Sequence, residues 1–214
     1  MQIHIFPTGM IQTNCIILSQ PDGQALVIDP GADADRLHDF LEENKLQVIG
    51  YPFTHGHYDH VCAIGELHAL RPAPCWMHHL DLTWAFTPQN QNLPWYRQPD
   101  PDQVPEIQSA WEQDGKFKIG PFQFETLFLP GHSPGSVAFY FPEQELLIGG
   151  DVLFKGSVGR TDLPGGDTAT LFRSLRKLAT LPPETRVLPG HGPATTLAEE
   201  LQSNPYMIQA LRQA

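Results

Sequence analysis

Positive charge is scarce in this sequence. The 214 residues include 13 Lys and Arg against 24 Asp and Glu, which gives a formal net charge of −11 at pH 7. A field of this sign repels phosphate backbones and anionic lipid surfaces, so we expect neither nucleic acid nor a membrane as a partner. Long apolar runs are also lacking, since no stretch approaches the roughly 18 residues that a membrane-spanning helix needs. A small anionic substrate held at a local positive site is still compatible with this charge.

Cysteine is rare and irregularly spaced. Cys15, Cys62 and Cys75 are odd in number and form no C-x-x-C pair, which favours free thiols in a reducing compartment. No Lys or Arg precedes Arg36, so the N-terminal region lacks the charged segment of a secretory signal. We therefore expect a cytoplasmic protein.

Proline and glycine, in contrast, are plentiful. The 21 prolines and 18 glycines exclude a long-helix bundle and favour many short elements joined by shaped loops. Strands and helices alternate in two successive halves, which indicates an internally pseudo-symmetric α/β sandwich. The length predicts a single domain over residues 1–214. Residues 80–115, rich in proline and aromatic residues, lie between the two halves, and we expect either a lid or a subunit interface there.

The ten histidines are concentrated in a few places, and the densest cluster follows a predicted strand. The segment Thr54-His55-Gly56-His57-Tyr58-Asp59-His60 holds four potential metal ligands within six positions. We expect Gly56 to let the backbone turn so that the flanking histidines converge. Imidazole nitrogens with a carboxylate and no thiolate suit zinc or iron. One continuous helix is predicted over residues 60–71.

Three further segments share one pattern, in which a strand ends and a ligand-type residue lies beside glycine. They are Gly131-His132-Ser133, Gly149-Gly150-Asp151 and Gly190-His191-Gly192. With the first cluster they supply five histidines and two aspartates. Seven ligands exceed the needs of one tetrahedral ion and match two metal ions that share a bridging carboxylate.

These motifs resemble those of the metallo-β-lactamase superfamily, with its H-x-H-x-D-H loop, over nearly the whole chain. The resemblance implies an α/β fold, the four-layer αβ/βα sandwich, with two divalent metal ions, most simply zinc, or else iron or manganese. The first ion would be bound by His55, His57 and His132. The second would be bound by Asp59, His60 and His191, with Asp151 and a hydroxide bridging the two ions. Asp59 and Asp151 are the carboxylates that the resemblance places in catalysis.

Two longer segments resemble the short bacterial glyoxalase II-like subgroup, the hydroxyacylglutathione hydrolase-like enzymes. They are Leu153-Phe154-Lys155-Gly156-Ser157-Val158-Gly159-Arg160-Thr161-Asp162 and Pro189-Gly190-His191-Gly192-Pro193-Ala194-Thr195-Thr196. This resemblance implies hydrolysis of a 2-hydroxyacyl thioester, such as S-lactoylglutathione, to a hydroxy acid and a thiol. The chain departs from glyoxalase II proper in two ways. Val61-Cys62-Ala63 replaces a small residue pair, and no separate C-terminal glutathione-binding domain is expected.

A metal-bridging hydroxide suits a thioester for two reasons. A metal ion lowers the pKa of its bound water toward about 7. A thiolate with a pKa near about 8.5 needs little protonation to depart. Lys155 and Arg160 follow Asp151 in a glycine-rich loop, where they would neutralise a carboxylate of the substrate. We expect a small-molecule thioester as the partner, and the sequence leaves the oligomeric state open.

Other activities compete with this interpretation. A mononuclear-iron persulfide dioxygenase also resembles this chain, including the stretch Gly159-Arg160-Thr161-Asp162, and would hold iron at His55, His132 and Asp151. A binuclear zinc hydrolase of another ester would use the same seven ligands. Zinc β-lactamases commonly carry Cys where Asp151 stands, which disfavours β-lactam hydrolysis. A non-enzymatic protein with structural metals is also disfavoured, because structural zinc sites are closed and usually rich in cysteine.

Overall fold

A computed structural model of the chain describes residues 1–90 and 101–213. The chain divides into two compact units. One consists of Met1–Ala110 with Lys118–Phe122, and the other of Trp111–Phe117 with the residues from Gln123 onward. The single domain expected from the length stays a prediction. Residues 91–100 of the predicted insert, including Trp95 and Tyr96, lie outside the described residues.

The first unit is a mixed α/β arrangement built on one sheet. Its strands are β1 (Gln2–Thr8), β2 (Thr13–Ser19), β3 (Gln24–Ile28), β4 (Gln47–Pro52), β5 (Cys75–Met77) and β6 (Ile107–Ser109). Its helices are α1 (Ala34–Glu43), α2 (Tyr58–Val61), α3 (Ile64–Leu70) and α4 (His79–Leu82), with 3-10 turns at Pro88–Asn90 and Pro101–Gln103. The sheet order is β1-β2-β3-β4-β5-β6. The first three strands pair antiparallel, and β3 to β6 run parallel.

The parallel part of this sheet positions the predicted ligand loop. All seven residues of β2 are buried, and the last four of β3 are buried as well, which is typical of strands covered on both faces. Leu37 and Leu41 of α1 belong to the same buried apolar cluster as the strands. Because β3 and β4 are parallel, the loops that follow them leave the same edge of the sheet.

The second unit is also mixed α/β. Its strands are β7 (Gly115–Ile119), β8 (Phe122–Phe128), β9 (Val137–Phe141), β10 (Leu146–Gly150), β11 (Leu153–Phe154), β12 (Ser157–Val158), β13 (Arg186–Pro189) and β14 (Thr195–Thr196). Its helices are α5 (Thr168–Leu178), α6 (Leu197–Ser203) and α7 (Pro205–Arg212), with a 3-10 turn at Pro142–Gln144. The main sheet has the order β14-β13-β10-β9-β8-β7, and β11 and β12 form a separate hairpin. In the described part of the chain, no helix combines the length and apolar character that crossing a membrane requires.

The helix predicted over residues 60–71 is wrong as a continuous element, because α2 ends at Val61 and α3 begins at Ile64. The backbone N–H of Ala63 donates to the carbonyl of Pro30 at 3.0 Å, which ties this junction to the loop after β3. The Asp167 side chain caps α5 by accepting from the Thr170 N–H at 2.7 Å.

Candidate metal centre

The ligand loop of the first unit follows β4 and continues into α2. Its histidine side chains are buried, with His55 1%, His57 4% and His60 0% exposed. The His55 ring centroid lies 5.0 Å from that of His57 and 4.1 Å from that of His60. The structure therefore brings three buried imidazoles together within this unit.

Gly56, between two of these histidines, is closely packed against a neighbouring segment. The rings of His55 and His57 do converge, and the Gly56 backbone allows this without entering the left-handed region. A Cβ atom there would lie 3.0 Å from the Cβ atoms of both Asp81 and Ala85. Gly56 thus makes room for a neighbouring segment.

Asp29, which the sequence analysis missed, orients two members of the loop. Its carboxylate accepts from His60 Nδ1 at 2.9 Å and from both the backbone N–H and the hydroxyl of Thr54. With Nδ1 donating to Asp29, His60 presents Nε2 as its lone-pair nitrogen, the arrangement of a metal ligand with a carboxylate behind it. Asp29 follows β3 and precedes Pro30-Gly31. It is therefore an acid directly after a strand with a glycine two positions later, a looser form of the pattern seen at His132, Asp151 and His191.

Asp59 is positioned by two neighbours in the same unit. The Thr13 hydroxyl donates to Asp59 Oδ2 at 2.7 Å, and the same oxygen lies 3.3 Å from His60 Nε2. A Cβ atom at Gly31 would lie 1.6 Å from the Asp59 carbonyl oxygen, so only glycine fits there. Thr13 and Gly31 are further residues that sequence reasoning missed, because their partner is 46 and 28 positions away, respectively.

The second unit holds the other three predicted ligands at the ends of strands, as their motifs indicate. His132 follows β8, Asp151 follows β10 directly, and His191 follows β13. Asp151 Oδ2 lies 3.6 Å from His132 Nε2 and 3.6 Å from His191 Nε2. Two ligand atoms each about 2.1 Å from a tetrahedral ion are separated by about 3.4 Å. One carboxylate oxygen is thus placed to share an ion with each histidine.

The loop after Asp151 fixes this arrangement. His132 Nδ1 donates to the Arg160 carbonyl at 2.8 Å, which leaves Nε2 facing Asp151. A Cβ atom at Gly159 would lie 1.9 Å from the Asp151 carbonyl oxygen and 2.9 Å from His132 Nδ1. Gly159 therefore allows the loop backbone to approach both residues closely.

The two predicted substrate-binding cations already have carboxylate partners. Arg160 donates from Nε and Nη2 to Asp162 at 2.6 and 2.8 Å, and these hydrogen bonds lower the pKa of the exposed Asp162 carboxyl to about 2. Lys155 Nζ lies 2.9 Å from Glu199 and lowers the pKa of that carboxyl as well. Exposed ion pairs of this kind are weak. A substrate carboxylate would therefore compete with Asp162 or Glu199 rather than find an isolated charge.

A buried acid supports the loop that carries these cations. Glu200 is 0% exposed, and its carboxylate accepts from the Gly156 N–H, the Thr195 hydroxyl and the Asn204 amide at 2.8, 2.6 and 2.7 Å. Asn204 also donates to the Ser157 carbonyl at 3.0 Å and caps α7. The β11–β12 hairpin is thus tied to helices that come about 45 positions later in the chain.

The donor set fits divalent metal ions. In each unit imidazole nitrogens lie within 3.6 Å of carboxylate oxygens, and among the described residues no cysteine belongs to a candidate metal-binding group. His60 and His132 each have a hydrogen-bond acceptor behind the ring, which fixes the nitrogen that faces the cluster. This chemistry suits zinc, iron or manganese and does not suit a sulfur-rich structural site.

The fold and the histidine clusters define a metal-binding hydrolase class, and the family comparison agrees. The model of the metallo-beta-lactamase superfamily matches residues 8–191, a range that contains all seven predicted ligands. The chain belongs to this superfamily. The resemblance on which the sequence analysis relied is confirmed.

Particular relatives narrow the class. The chain is 40% identical over 202 residues to the probable metallo-hydrolase YqgX of Bacillus subtilis, covering 94% of this chain and 95% of the relative. It is 36% identical over 210 residues to the hydroxyacylglutathione hydrolase GloC of Haemophilus influenzae, covering 97% and 98%. These relatives place the chain among metallo-hydrolases of similar length.

Solved structures confirm the predicted fold class. The crystal structure of the BLEG-1 B3 metallo-beta-lactamase matches with a TM-score of 0.88 and 34% identity, covering 96% of this chain and 99% of that one. The structure of TTHA1623 in a di-iron-bound form matches with a TM-score of 0.80 and 37% identity, covering 95% and 99%. The α/β metallo-β-lactamase fold is therefore established for this chain.

Replacing His191 by alanine is expected to reduce the metal content from two ions to one. His191 is the most exposed of the three ligands in its unit, with 26% of its side chain accessible, so its loss leaves little buried space. Elemental analysis of dialysed protein measures the stoichiometry. His4→Ala, which changes a histidine on β1, serves as the control and should retain both ions. Two ions in His191→Ala would contradict the assignment of this residue to the second metal.

Proposed function

We propose that this protein is a metal-dependent thioester hydrolase that acts on S-lactoylglutathione-like substrates. The observation that carries the proposal is the Asp151 carboxylate, whose Oδ2 atom lies 3.6 Å from Nε2 of both His132 and His191. A carboxylate shared in this way is the arrangement of a binuclear centre. The substrate class is supported by the similarity to the hydroxyacylglutathione hydrolase GloC.

The metal assignment proposed is the one that the superfamily resemblance implies. His55, His57 and His132 would hold one ion, Asp59, His60 and His191 the other, and Asp151 would bridge them. When bound, two divalent ions lower the pKa of a water molecule and polarise the thioester carbonyl. Similarity to a protein crystallised in a di-iron-bound form supports a site for two ions and leaves iron beside zinc as a candidate.

The reaction places few demands on side-chain acids. Water adds through its oxygen to the acyl carbon, the C–S bond breaks, and the thiolate carries away the electron pair before it takes up a proton. Since a thiolate leaves without prior protonation more readily than an amine, no dedicated general acid is required. Asp59, held by the Thr13 hydroxyl at 2.7 Å, would accept the proton of the attacking water.

Residues that form hydrogen bonds behind the ligands hold the ligands in orientation. Asp29 fixes the tautomer of His60, and the Arg160 carbonyl fixes that of His132. Such outer residues typically change metal affinity or activity by about 10- to 100-fold when removed. Lys155 and Arg160 would attract the carboxylates of a glutathione thioester, and this attraction is the proposed basis of selection for an anionic small molecule. Nucleic acid and membrane lipid are not proposed as partners.

Replacing Arg160 by alanine is expected to raise KM for an anionic thioester by up to about fivefold, because exposed ion pairs contribute about 0.2–1 kcal/mol. The backbone carbonyl that orients His132 is retained, so kcat should change little. Steady-state kinetics with S-lactoylglutathione and with an uncharged thioester measure the effect. Arg160→Lys, which keeps the charge, is the control. An unchanged KM would show that Arg160 is an ordinary surface cation.

The deciding experiment follows S-lactoylglutathione hydrolysis by zinc-loaded protein, through the loss of thioester absorbance. Turnover that a chelator abolishes and added zinc restores would support the proposal. Absence of turnover in protein that holds two ions would reject this substrate and leave a hydrolase of another ester. One bound iron with oxygen consumption in the presence of glutathione persulfide would favour the dioxygenase instead.

β-Lactam hydrolysis is the second candidate, because the chain is 34% identical to a protein described as a B3 metallo-beta-lactamase. The same zinc-loaded protein should be tested with a chromogenic cephalosporin. The activity with the higher kcat/KM identifies the better substrate class. We expect the thioester to be preferred, since the GloC similarity covers 97% of the chain at 36% identity.

A further inference from the structure

The segment of residues 78–90, at the start of the proline-rich insert, contains two deeply buried polar side chains. Asp81 is 0% exposed and Asn90 is 1% exposed. A carboxylate and an amide at such depth require polar partners, because burial without them is costly. Their hydrogen-bond partners lie in the predicted ligand loop.

Both side chains form hydrogen bonds with the backbone of Gly56, in the loop that carries His55 and His57. The Gly56 N–H donates to Asp81 Oδ2 at 2.8 Å, and Asn90 Nδ2 donates to the Gly56 carbonyl at 2.8 Å. Asn90 Nδ2 also donates to the Ala85 carbonyl at 2.6 Å, and the Ala85 N–H donates to the Asp81 carbonyl at 2.9 Å. The backbone donor and acceptor of Gly56 are therefore held from one segment, whose own residues are bonded together.

Steric and ring contacts tighten this connection. The space that a side chain at Gly56 would occupy is taken by Asp81 and Ala85, 3.0 Å away. The Trp84 ring contacts the His57 imidazole, with centroids 5.2 Å apart. Gly56 separates His55 from His57, so the orientation of its two peptide planes sets the angle between these imidazoles.

We infer that Asp81 and Asn90 are positioning residues that set the affinity of the metal site to which His55 and His57 belong. Neither is among the predicted metal ligands, and they act by fixing the backbone N–H and carbonyl of Gly56. The first part of the insert thus holds the ligand loop in its conformation. This inference rests on the metal-binding half of the proposed function and is independent of the substrate.

Removing either hydrogen bond to Gly56 should weaken zinc binding at one site only. Asn90→Ala removes the donor to the Gly56 carbonyl, and Asp81→Ala removes the acceptor for its N–H. Each is expected to lower zinc affinity at the His55 and His57 site by about 10- to 100-fold, the usual effect of residues behind a metal ligand. The other site should keep its affinity within a factor of about two. Asp81→Asn, which still offers an oxygen to Gly56, should restore most of the affinity.

The test is a competition titration of the full-length, metal-free protein with zinc and a fluorescent zinc chelator, which resolves two binding constants. Thr83→Ala is the matched control, since its hydroxyl donates within the segment, to the Leu80 carbonyl at 2.8 Å. If Asn90→Ala does not fold, Asn90→Asp keeps the shape and turns a donor toward two carbonyls into an acceptor. Circular dichroism of the metal-free variants separates stability from affinity.

The outcomes are distinct. Selective loss of one zinc constant in Asp81→Ala and Asn90 variants, with recovery in Asp81→Asn, supports the inference. Lower thermal stability with both zinc constants unchanged would overturn it, because the segment would then only stabilise the fold. Wild-type protein that binds no zinc would overturn it together with the metal-binding proposal. Wild-type protein that binds two zinc ions but leaves S-lactoylglutathione intact would reject the substrate alone.

Discussion

Asp151→Ala is expected to lose both metal ions and nearly all turnover. The Asp151 carboxylate oxygen that lies 3.6 Å from both His132 and His191 is placed to serve two ions. Residues that merely stand behind a ligand change metal affinity by about 10- to 100-fold, so a bridging ligand should cost more than about 100-fold. Activity should fall with the metal content.

Elemental analysis and S-lactoylglutathione kinetics, both made on protein dialysed against metal-free buffer, check this expectation. Asp162→Ala is the matched control, because it removes an exposed aspartate from the same loop whose bonds go to Arg160. It should retain two ions. Full turnover by Asp151→Ala with two ions bound would refute the bridging role.

Gly159→Ala should be nearly as damaging, although it adds only one methyl group and Gly159 is not itself a predicted ligand. The new Cβ would lie 1.9 Å from the Asp151 carbonyl oxygen and 2.9 Å from His132 Nδ1, distances that real Cβ atoms do not show. The loop backbone must therefore move away and take with it the Arg160 carbonyl that orients His132. We expect metal affinity and kcat/KM to fall by more than about 100-fold, because two ligands are displaced together.

Gly149→Ala is the control for this variant. It lies two positions before Asp151, and its Cβ would meet Val187 and Leu188 at the ordinary distances of 3.7 and 3.9 Å. Metal content by elemental analysis and the far-ultraviolet circular dichroism spectrum are compared for both proteins. Equal metal content in the two variants would show that the close approach at Gly159 is tolerated.

The ligand positions could be predicted because their signals are local. Each of His132, Asp151 and His191 lies beside glycine at a strand end, and the motif of the first loop is contained in six positions. Strand ends at one edge of a parallel sheet collect functional side chains in α/β proteins. The local pattern is therefore sufficient for naming the candidate ligands, and the family resemblance of the same motifs predicts the fold class.

The supporting residues could not be predicted, because their partners are distant in sequence. Asp81 and Asn90 bond to Gly56 across 25 and 34 positions, and Asp29 bonds to His60 across 31. The break between α2 and α3 likewise depends on the Pro30 carbonyl. One missed element had a local signal: Asn204-Pro205, a capping residue followed by proline, is typical of a helix start, and α7 begins there.

The buried Glu200 determines which segments have to be moved together when this site is engineered. Its carboxylate accepts hydrogen bonds from the Gly156 N–H, the Thr195 hydroxyl and the Asn204 amide. The hairpin that contains Lys155 is therefore held in place by α6, which lies about 45 positions later in the chain. A transplant of residues 153–160 alone into another scaffold would leave the hairpin without its support. Any transferable module has to include residues 195–204 together with this hairpin, so the two stretches are exchanged as one.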